Sequence, residues 1–369
     1  MTFLTRGSLK GLLALAVVLT TVCRPATGET PLSPERIDKI AFGSCAKQDL
    51  DQPIWDDIVA QQPDAFLFIG DNMYADRKHP PRSAGDIAAA YRKLGAKPGF
   101  RRLRRACPVL ATWDDHDYGL NDAGGEFPFK EASQTVMLSF FREPADSPRW
   151  GREGVYGAWR FGPEDQRVQV LLLDTRYFRS PLREVPAEKR QGRGPYGPQP
   201  DGGGSLLGEA QWQWLEEQLS EPAAVRLIGS SVQVVSDEHG WEGWSNFPRE
   251  RQRLYDLIDS TKARGVIFLS GDRHLAEISR STEAGTPYPM WDFTSSGLTD
   301  PKQPAREPNR NRVGPLLKQT QFGMVRIDWS AGPQLTLEAI GLGGESLLSQ
   351  QINLADLRVT PAPAVVQTN

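Results

Sequence analysis

In the stretch ATWDDHDYGLND, residues 111–122, four aspartates surround one histidine directly after the apolar run Pro108-Val109-Leu110. Carboxylates this close repel one another, and each costs free energy to desolvate unless a cation sits among them. The turn is therefore either solvated or wrapped around a metal ion. Other strand-like segments end in comparable clusters: "FGSC" at 42–45, "FIGDNMYAD" at 68–76, "LLLDTR" at 171–176 and "LSGDRH" at 269–274. Cys, Asp, His and Tyr are side chains that bind transition metals, and ligands of open α/β sheets lie at the carboxyl ends of strands. One such strand end is more often an N-cap or a turn. Five of them make a shared metal site the better reading. Two neighbouring metals can lower the pKa of a bound water and clamp the attacking and leaving oxygens, which is hydrolytic chemistry.

The elements that must position these residues alternate along the chain. Strands are expected at 38–44, 65–69, 109–113, 155–161, 168–173, 225–235 and 266–270, and helices at 51–61, 84–94, 131–141, 209–219 and 248–264. Residues 179–207 form a long Gly/Pro-rich loop, a length usually tied to function or disorder. The tail turns to strand composition in "FGMVRIDW" and "QLTLEAIG". No repeat or linker divides the chain, so α/β layers around sheets, ending in a β-rich segment, are expected.

The chain has 369 residues, 24% charged and 39% hydrophobic, which is ordinary for a soluble enzyme with ample core. A net charge of −3 gives no argument for non-specific nucleic-acid binding, and any phosphate recognition must come from local cations rather than the global field. Residues 1–28 read as a signal peptide: Arg6 and Lys10 precede the apolar run 11–19, too short to span a bilayer, and Ala26-Thr27-Gly28 offers a small-x-small cleavage site. There is no twin arginine, so general secretion is expected. Cys23 offers a lipoprotein alternative, but Val22 precedes it where a small residue is expected. The mature chain, 29–369, is expected to be secreted or periplasmic, with no transmembrane segment. It keeps Cys45 and Cys107, which in an oxidising compartment could pair as a disulfide; a metal-ligand role for one of them is the alternative.

Read in order, "GSC", "GDNMYAD", "WDDHDYGLND", "LDTRYFR", "LLGEAQWQWLEEQL" and "GDRH" resemble the motif series of the alkaline phosphatase D (PhoD-like) metallophosphatase family, over roughly residues 38–355. The resemblance implies a single domain built as a four-layer α-β-β-α sandwich with two mixed sheets. It implies hydrolysis of phosphate mono- or diesters with iron and a nearby calcium. Position by position, Asp71 would bridge two metal ions, Cys45 would be a thiolate ligand, and Tyr74 a phenolate ligand suited to ferric iron. Asp115 stands where the wider superfamily has the asparagine of its G-N-H-D motif, and Asn121 is the other candidate there. His116 matches that motif's histidine, as general acid or stabiliser of the leaving group. Asp272 and His274 would close the ligand set from positions i and i+2 of an extended segment, which point the same way. Where the superfamily has a further histidine, "LIGSSVQVV" offers Ser230, Ser231 and Gln233. A site poor in histidine and rich in oxygen fits hard cations better than zinc.

Arg176, past a strand end, has a planar fork suited to phosphate oxygens; a structural ion pair with Asp174 is the competing reading, and Arg273 offers a second fork. Asp114 and Asp117 are expected to cap or support the turn. His79 and His239 are expected in solvated loops, and Arg101, Arg102, Arg104 and Arg105 on a helix face in water. The tryptophans at 212, 214, 241 and 244 suit a core, or in "HGWEGWSNFP" a pocket mouth. The implied partner is a phosphate ester, and a monomer is expected. Two other functions compete: a phospholipase D-like diesterase, and a catalytically silent cell-envelope binding protein with a structural metal.

Overall fold

A computed structural model describes residue 2 and residues 35–302, 307–330 and 332–359. The leader expected over 1–28, Cys23 included, lies outside the described residues apart from Thr2. The first half runs β1 (Lys39–Gly43), α1 (Ile54–Ala60), β2 (Ala65–Ile69), α2 (Ala84–Ala96), α3 (Pro98–Ala106), β3 (Val109–Thr112), the short helix α4 (Asp115–Tyr118) and α5 (Lys130–Phe141). Then come β4 (Gly157–Phe161), β5 (Val168–Leu172), β6 (Arg183–Glu184), β7 (Tyr196–Gly197), α6 (Glu209–Ser220), β8 (Val225–Ser230), α7 (Pro248–Ser260) and β9 (Val266–Ser270). The remainder is β10 (Ala276–Ser281), β11 (Met290–Ser295), β12 (Arg312–Leu317), β13 (Gln321–Asp328), β14 (Gln334–Gly341) and β15 (Ser346–Asn353).

Two mixed sheets face each other. One has the order β15-β14-β13-β1-β2-β3, with β1, β2 and β3 parallel and the tail strands antiparallel. The other has the order β12-β10-β11-β9-β8-β5-β4, parallel from β5 through β8 and β9 to β11 and antiparallel at both edges.

Composition explains the layering. β2 reads Ala-Phe-Leu-Phe-Ile and is buried throughout, as a strand covered on both faces must be. Alternate side chains go opposite ways: Leu67 and Ile69 enter the core shared with the second sheet, whereas Phe66 and Phe68 pack with the helices α1, α2, α3 and α5. Trp55 of α1 meets Phe66, Phe68 and Phe100 with ring centroids 5.8, 5.8 and 5.2 Å away. Between the sheets, Phe42 of β1 meets Phe293 of β11 edge-on at 5.0 Å. Trp212, Leu215 and Leu219 of α6 and Leu254 and Ile258 of α7 complete the larger core. The result is the expected α-β-β-α sandwich. Among the described residues no helix is long and apolar enough to cross a membrane.

The expected strand 225–235 stops at Ser230. Beyond it the N–H groups of Val234 and Val235 donate to Asp292 Oδ2 at 2.7 and 3.0 Å, so a side chain replaces the ladder partner.

Candidate metal centre

Parallel strands bring their carboxyl ends to one edge, and the polar clusters follow. Cys45 comes after β1, Asp71 after β2, Asp115 and His116 after β3, and Asp272 and His274 after β9. Cys45, Asp71, Asp272 and His274 all have left-handed backbones, with φ of 63°, 48°, 64° and 57°. Such conformations cost a non-glycine residue roughly 1 kcal/mol each and persist where surrounding structure imposes them, often at functional sites. The i, i+2 reading of an extended Asp272-Arg273-His274 is therefore corrected: the segment is a turn. Gly70, at φ +83°, lets β2 meet the acidic turn; a Cβ there would lie 2.5 Å from that of Asp114.

Among the described residues three groups of donor atoms form, each within 4.8 Å: Cys45, Asp71 and His274; Asp71, Asp115 and His116; Asp115, Asp122 and Glu242. Asp71 links the first to the second, and Asp115 the second to the third. In the first, Cys45 Sγ lies 3.3 Å from Asp71 Oδ2, which also accepts the Tyr74 hydroxyl at 2.8 Å. The Asp300 carbonyl lies 2.7 Å from His274 Nδ1; a carbonyl only accepts, so Nδ1 holds the proton and Nε2 keeps its lone pair, 3.3 Å from the Tyr74 oxygen. Burial holds His274 down to about 4, in the neutral form a ligand needs. Asp272 lies outside these groups, on the wall of a cleft of about 600 Å³. Asn121 lines the same cleft, its backbone N–H bound to Asp76.

His116 is fixed from two sides: its Nδ1 is 2.7 Å from Asp76 Oδ1, and its ring lies 4.2 Å from that of Tyr74. Burial opposes charge on the imidazole, yet Asp115, Asp71 and Asp76 outweigh it and push the group up to about 11.

The acidic turn is not uniformly a ligand. Asp117 is buried and accepts four donors: the N–H groups of Asp71 (3.1 Å) and Asp114 (2.7 Å), Asn72 Nδ2 (2.5 Å) and the Tyr91 hydroxyl (3.2 Å). It supports the turn, as expected. Arg176 requires a correction. It is fully buried, with Nε 2.7 Å from Asp114 Oδ1 and two 2.8 Å bonds to the Glu242 carboxylate. Its fork is occupied by two protein acids and does not face phosphate. Nor is Asp174 its ion-pair partner, because that carboxylate caps the N–H groups of Arg176 and Tyr177 at 2.9 Å each. Ser231 bonds Asp114 at 2.6 Å, and Gln233 bonds Glu277 and Thr294 at 2.7 Å each, so these replacements for a histidine serve structural bonds.

His239 is also misread as solvated: it is buried, and its Nδ1 accepts the Trp241 N–H at 3.0 Å. Trp212, Trp214 and Trp244 are core, while Trp241 is 43% exposed and lines the cleft. Sequence reasoning did not single out Glu242, between two tryptophans and without a motif, or Asp76 as the partner of His116. Cys45 and Cys107 are each free.

The donors fit bound cations. Asp71 Oδ1 and Asp114 Oδ2 are buried without any hydrogen-bond partner. Burial, with Cys45 and Asp115 adding to it, holds the Asp71 carboxyl well above the carboxylate range. Burial pushes the Cys45 thiol up to about 11 and the Tyr74 phenol well above its ordinary value. A cation among them would supply the missing partner and let these groups ionise. Asp115 and Asn121 both remain within the cleft as oxygen donors, Asp115 in two of the groups.

A solved structure of PhoD superimposes with a TM-score of 0.67 at 15% identity, over 90% of this chain and 73% of that one. Purple acid phosphatase PPD1 from yellow lupin seeds gives 0.58 at 12% identity, over 91% and 58%. GAP50, described as the anchor in the inner membrane complex of Plasmodium, gives 0.55 at 11% identity, over 86% and 89%. At these identities the likeness is one of fold. In sequence, alkaline phosphatase D of Bacillus subtilis (strain 168) is 22% identical over 259 residues, 63% of this chain but 43% of that protein. The alignment thus spans less than half the length of that relative. The model of the PhoD-like phosphatase family matches residues 40–332, most of the chain and all of the donor groups described above, and the chain belongs to that family.

Proposed function

We propose that the protein is a secreted, metal-dependent phosphoesterase acting on phosphate monoesters, diesters or both. The observation that carries this reading is Asp71: a buried carboxylate shared by two donor groups, with one oxygen lacking any hydrogen-bond partner among the described residues. Cations held there would supply positive charge against the ester oxygens and an acidified water. Cys45, Asp71, Tyr74 and His274 would hold one cation, and a thiol with a phenol suits ferric iron. Asp71 and Asp115, with Asn121 nearby, would hold a harder one, for which calcium fits the oxygen set. Asp272 adds a carboxylate from the cleft wall.

The chain's other groups bind the ester and move a proton. Lys47, Arg77, Arg273 and Lys302 line the cleft together with Asp115, Asp122, Glu242 and Asp272, and would draw in an anion once bound cations offset those acids. His116, fixed by Asp76 and Tyr74, would keep a proton on Nε2 for the leaving oxygen. Secretion rests on the leader-like residues 1–28.

Turnover of a panel of alkyl and aryl phosphate mono- and diesters by wild type and Asp71→Asn tests the reading. Wild type should hydrolyse at least one class, and Asp71→Asn should lose both turnover and metal. Metal-loaded wild type that hydrolyses none of them would favour the binding-protein reading, for which the likeness to GAP50 is the precedent in fold.

A further inference from the structure

A second charged cavity lies away from the catalytic cleft. It measures about 430 Å³ and is lined by Arg101, Arg104, Arg105 and Arg142 together with Cys107 and Phe141, with no carboxylate in its lining. It sits at the amino end of β3, whose first residue, Val109, forms part of its wall. The acidic turn follows the other end of β3, so four strand residues, roughly 13 Å at about 3.3 Å per residue, separate the two sites.

Several other arginines are paired with acids. Arg102, on the same helix, is paired with Asp56 at 2.6 Å, and Arg149, Arg176, Arg253, Arg273, Arg310 and Arg312 each have a carboxylate partner. None of the four cavity arginines forms an ion pair among the described residues.

One of the four is held in place, while Arg101, Arg105 and Arg142 are exposed at the cavity's rim. The Arg104 guanidinium lies 5.9 Å from the Phe100 ring and 5.3 Å from that of Phe140, and its Nη2 donates to the Phe140 carbonyl at 3.3 Å. Arg142 ends α5 in a left-handed conformation, φ 60° and ψ 46°, where glycine is the usual residue. Burial and the neighbouring Arg142 charge both work against the charge on Arg104.

The bland explanation is that arginines collect at the carboxyl ends of helices α3 and α5. Each helix end contributes roughly −0.5 charge, so the two offset about one of four positive charges. About three remain, with no carboxylate among the lining residues. Guanidinium forks match phosphate oxygens in pairs, and a surplus of this size suits more than one phosphate charge.

We propose that this cavity is a binding site for clustered phosphate groups, separate from the catalytic cleft. The source is either a soluble diphosphate-type anion or the headgroups of an anionic lipid surface. Pyrophosphate titration at constant ionic strength and buffered free metal, with wild type and Arg104→Gln/Arg142→Gln, tests it. Because the catalytic cleft is unaltered in the variant, the difference between the two isolates the cavity. Wild type should bind one further equivalent of pyrophosphate, weakened at least tenfold in the variant. Sedimentation with phosphatidylglycerol vesicles, against phosphatidylcholine, forms the second arm: vesicle binding lost in the variant assigns the lipid source. Arg101→Gln/Arg105→Gln leaves the Arg104 stack intact and should also weaken binding, which guards against a folding defect in the first variant. Unchanged ester hydrolysis in both variants is expected. Equal pyrophosphate and vesicle binding by wild type and both variants would overturn the proposal.

Discussion

His116 is held at Nδ1 by Asp76 and against Tyr74 by its ring, which leaves Nε2 as the proton-bearing atom available to a substrate. A general acid matters in proportion to the basicity of the leaving oxygen. Nitrophenolate leaves readily unprotonated, whereas an alkyl alkoxide does not. Proton transfer by a positioned side chain is worth about 10²- to 10⁴-fold. His116→Ala should therefore lower kcat/KM for alkyl esters by a factor in that range, nitrophenyl esters much less, with bound metal unchanged. Equal losses on both esters would assign phosphate stabilisation instead. Loss of metal would make His116 a ligand, a role its grouping with Asp71 and Asp115 permits. Cys45 makes a second test. It lies 3.3 Å from Asp71, whereas Cys107 packs in the helix-side core. Cys45→Ser should lose metal, activity and any visible charge-transfer band, and Cys107→Ser should keep all three. A Cys45–Cys107 crosslinked peptide in unreduced protein would contradict the ligand role.

Helix α4 is one turn long and depends on a carboxylate rather than on length. Asp117 receives four donors and gives none, so an amide in its place must point N–H groups at other donors. Leaving buried donors unmet costs about 1–3 kcal/mol, and Asp117→Asn should lower unfolding free energy by about that amount in a denaturant titration. Metal affinity should fall too, because the Asp71 N–H is one of the four donors. Unchanged stability would mean the turn is held by other contacts. Elements whose apolar pattern is plain were legible from sequence: β2 and β9 have the expected bounds, and α6 runs one residue past its expected end. β10 and β11 were not, because they mix apolar residues with Glu277 and Asp292, which read as loop residues. Both acids are buried and satisfied, Glu277 by Gln233 and Arg312, Asp292 by Ser270 and two N–H groups. Long-range partners of this kind leave no local signal. The site divides the same way. Cys45, Asp71, Asp115 and His274 were legible as strand-end residues, but direction was not: Arg176 follows a strand end like the others, yet turns inward to Asp114 and Glu242. Glu242 comes from a loop with no motif and joins the site only through tertiary packing.

At the scale of the whole molecule, two mixed sheets place the parallel ends of β1, β2, β3 and β9 at one edge, and four loops then converge on Asp71 and its neighbours. Where they meet, Asp71 Oδ1 is buried without a hydrogen-bond partner among the described residues, and a cation there would supply one. The arginine cavity at the amino end of β3 belongs to the opposite side of the same architecture. Cations at the Asp71 groups would make the protein a phosphoesterase. The most direct test is to strip the protein with a chelator and return iron and calcium stepwise, measuring bound metal by elemental analysis and kcat/KM for a phosphate ester at every step. Stripped protein should hydrolyse the ester negligibly, and activity should rise in step with bound metal. Full phosphatase activity in protein shown to be free of metal would contradict that metal dependence.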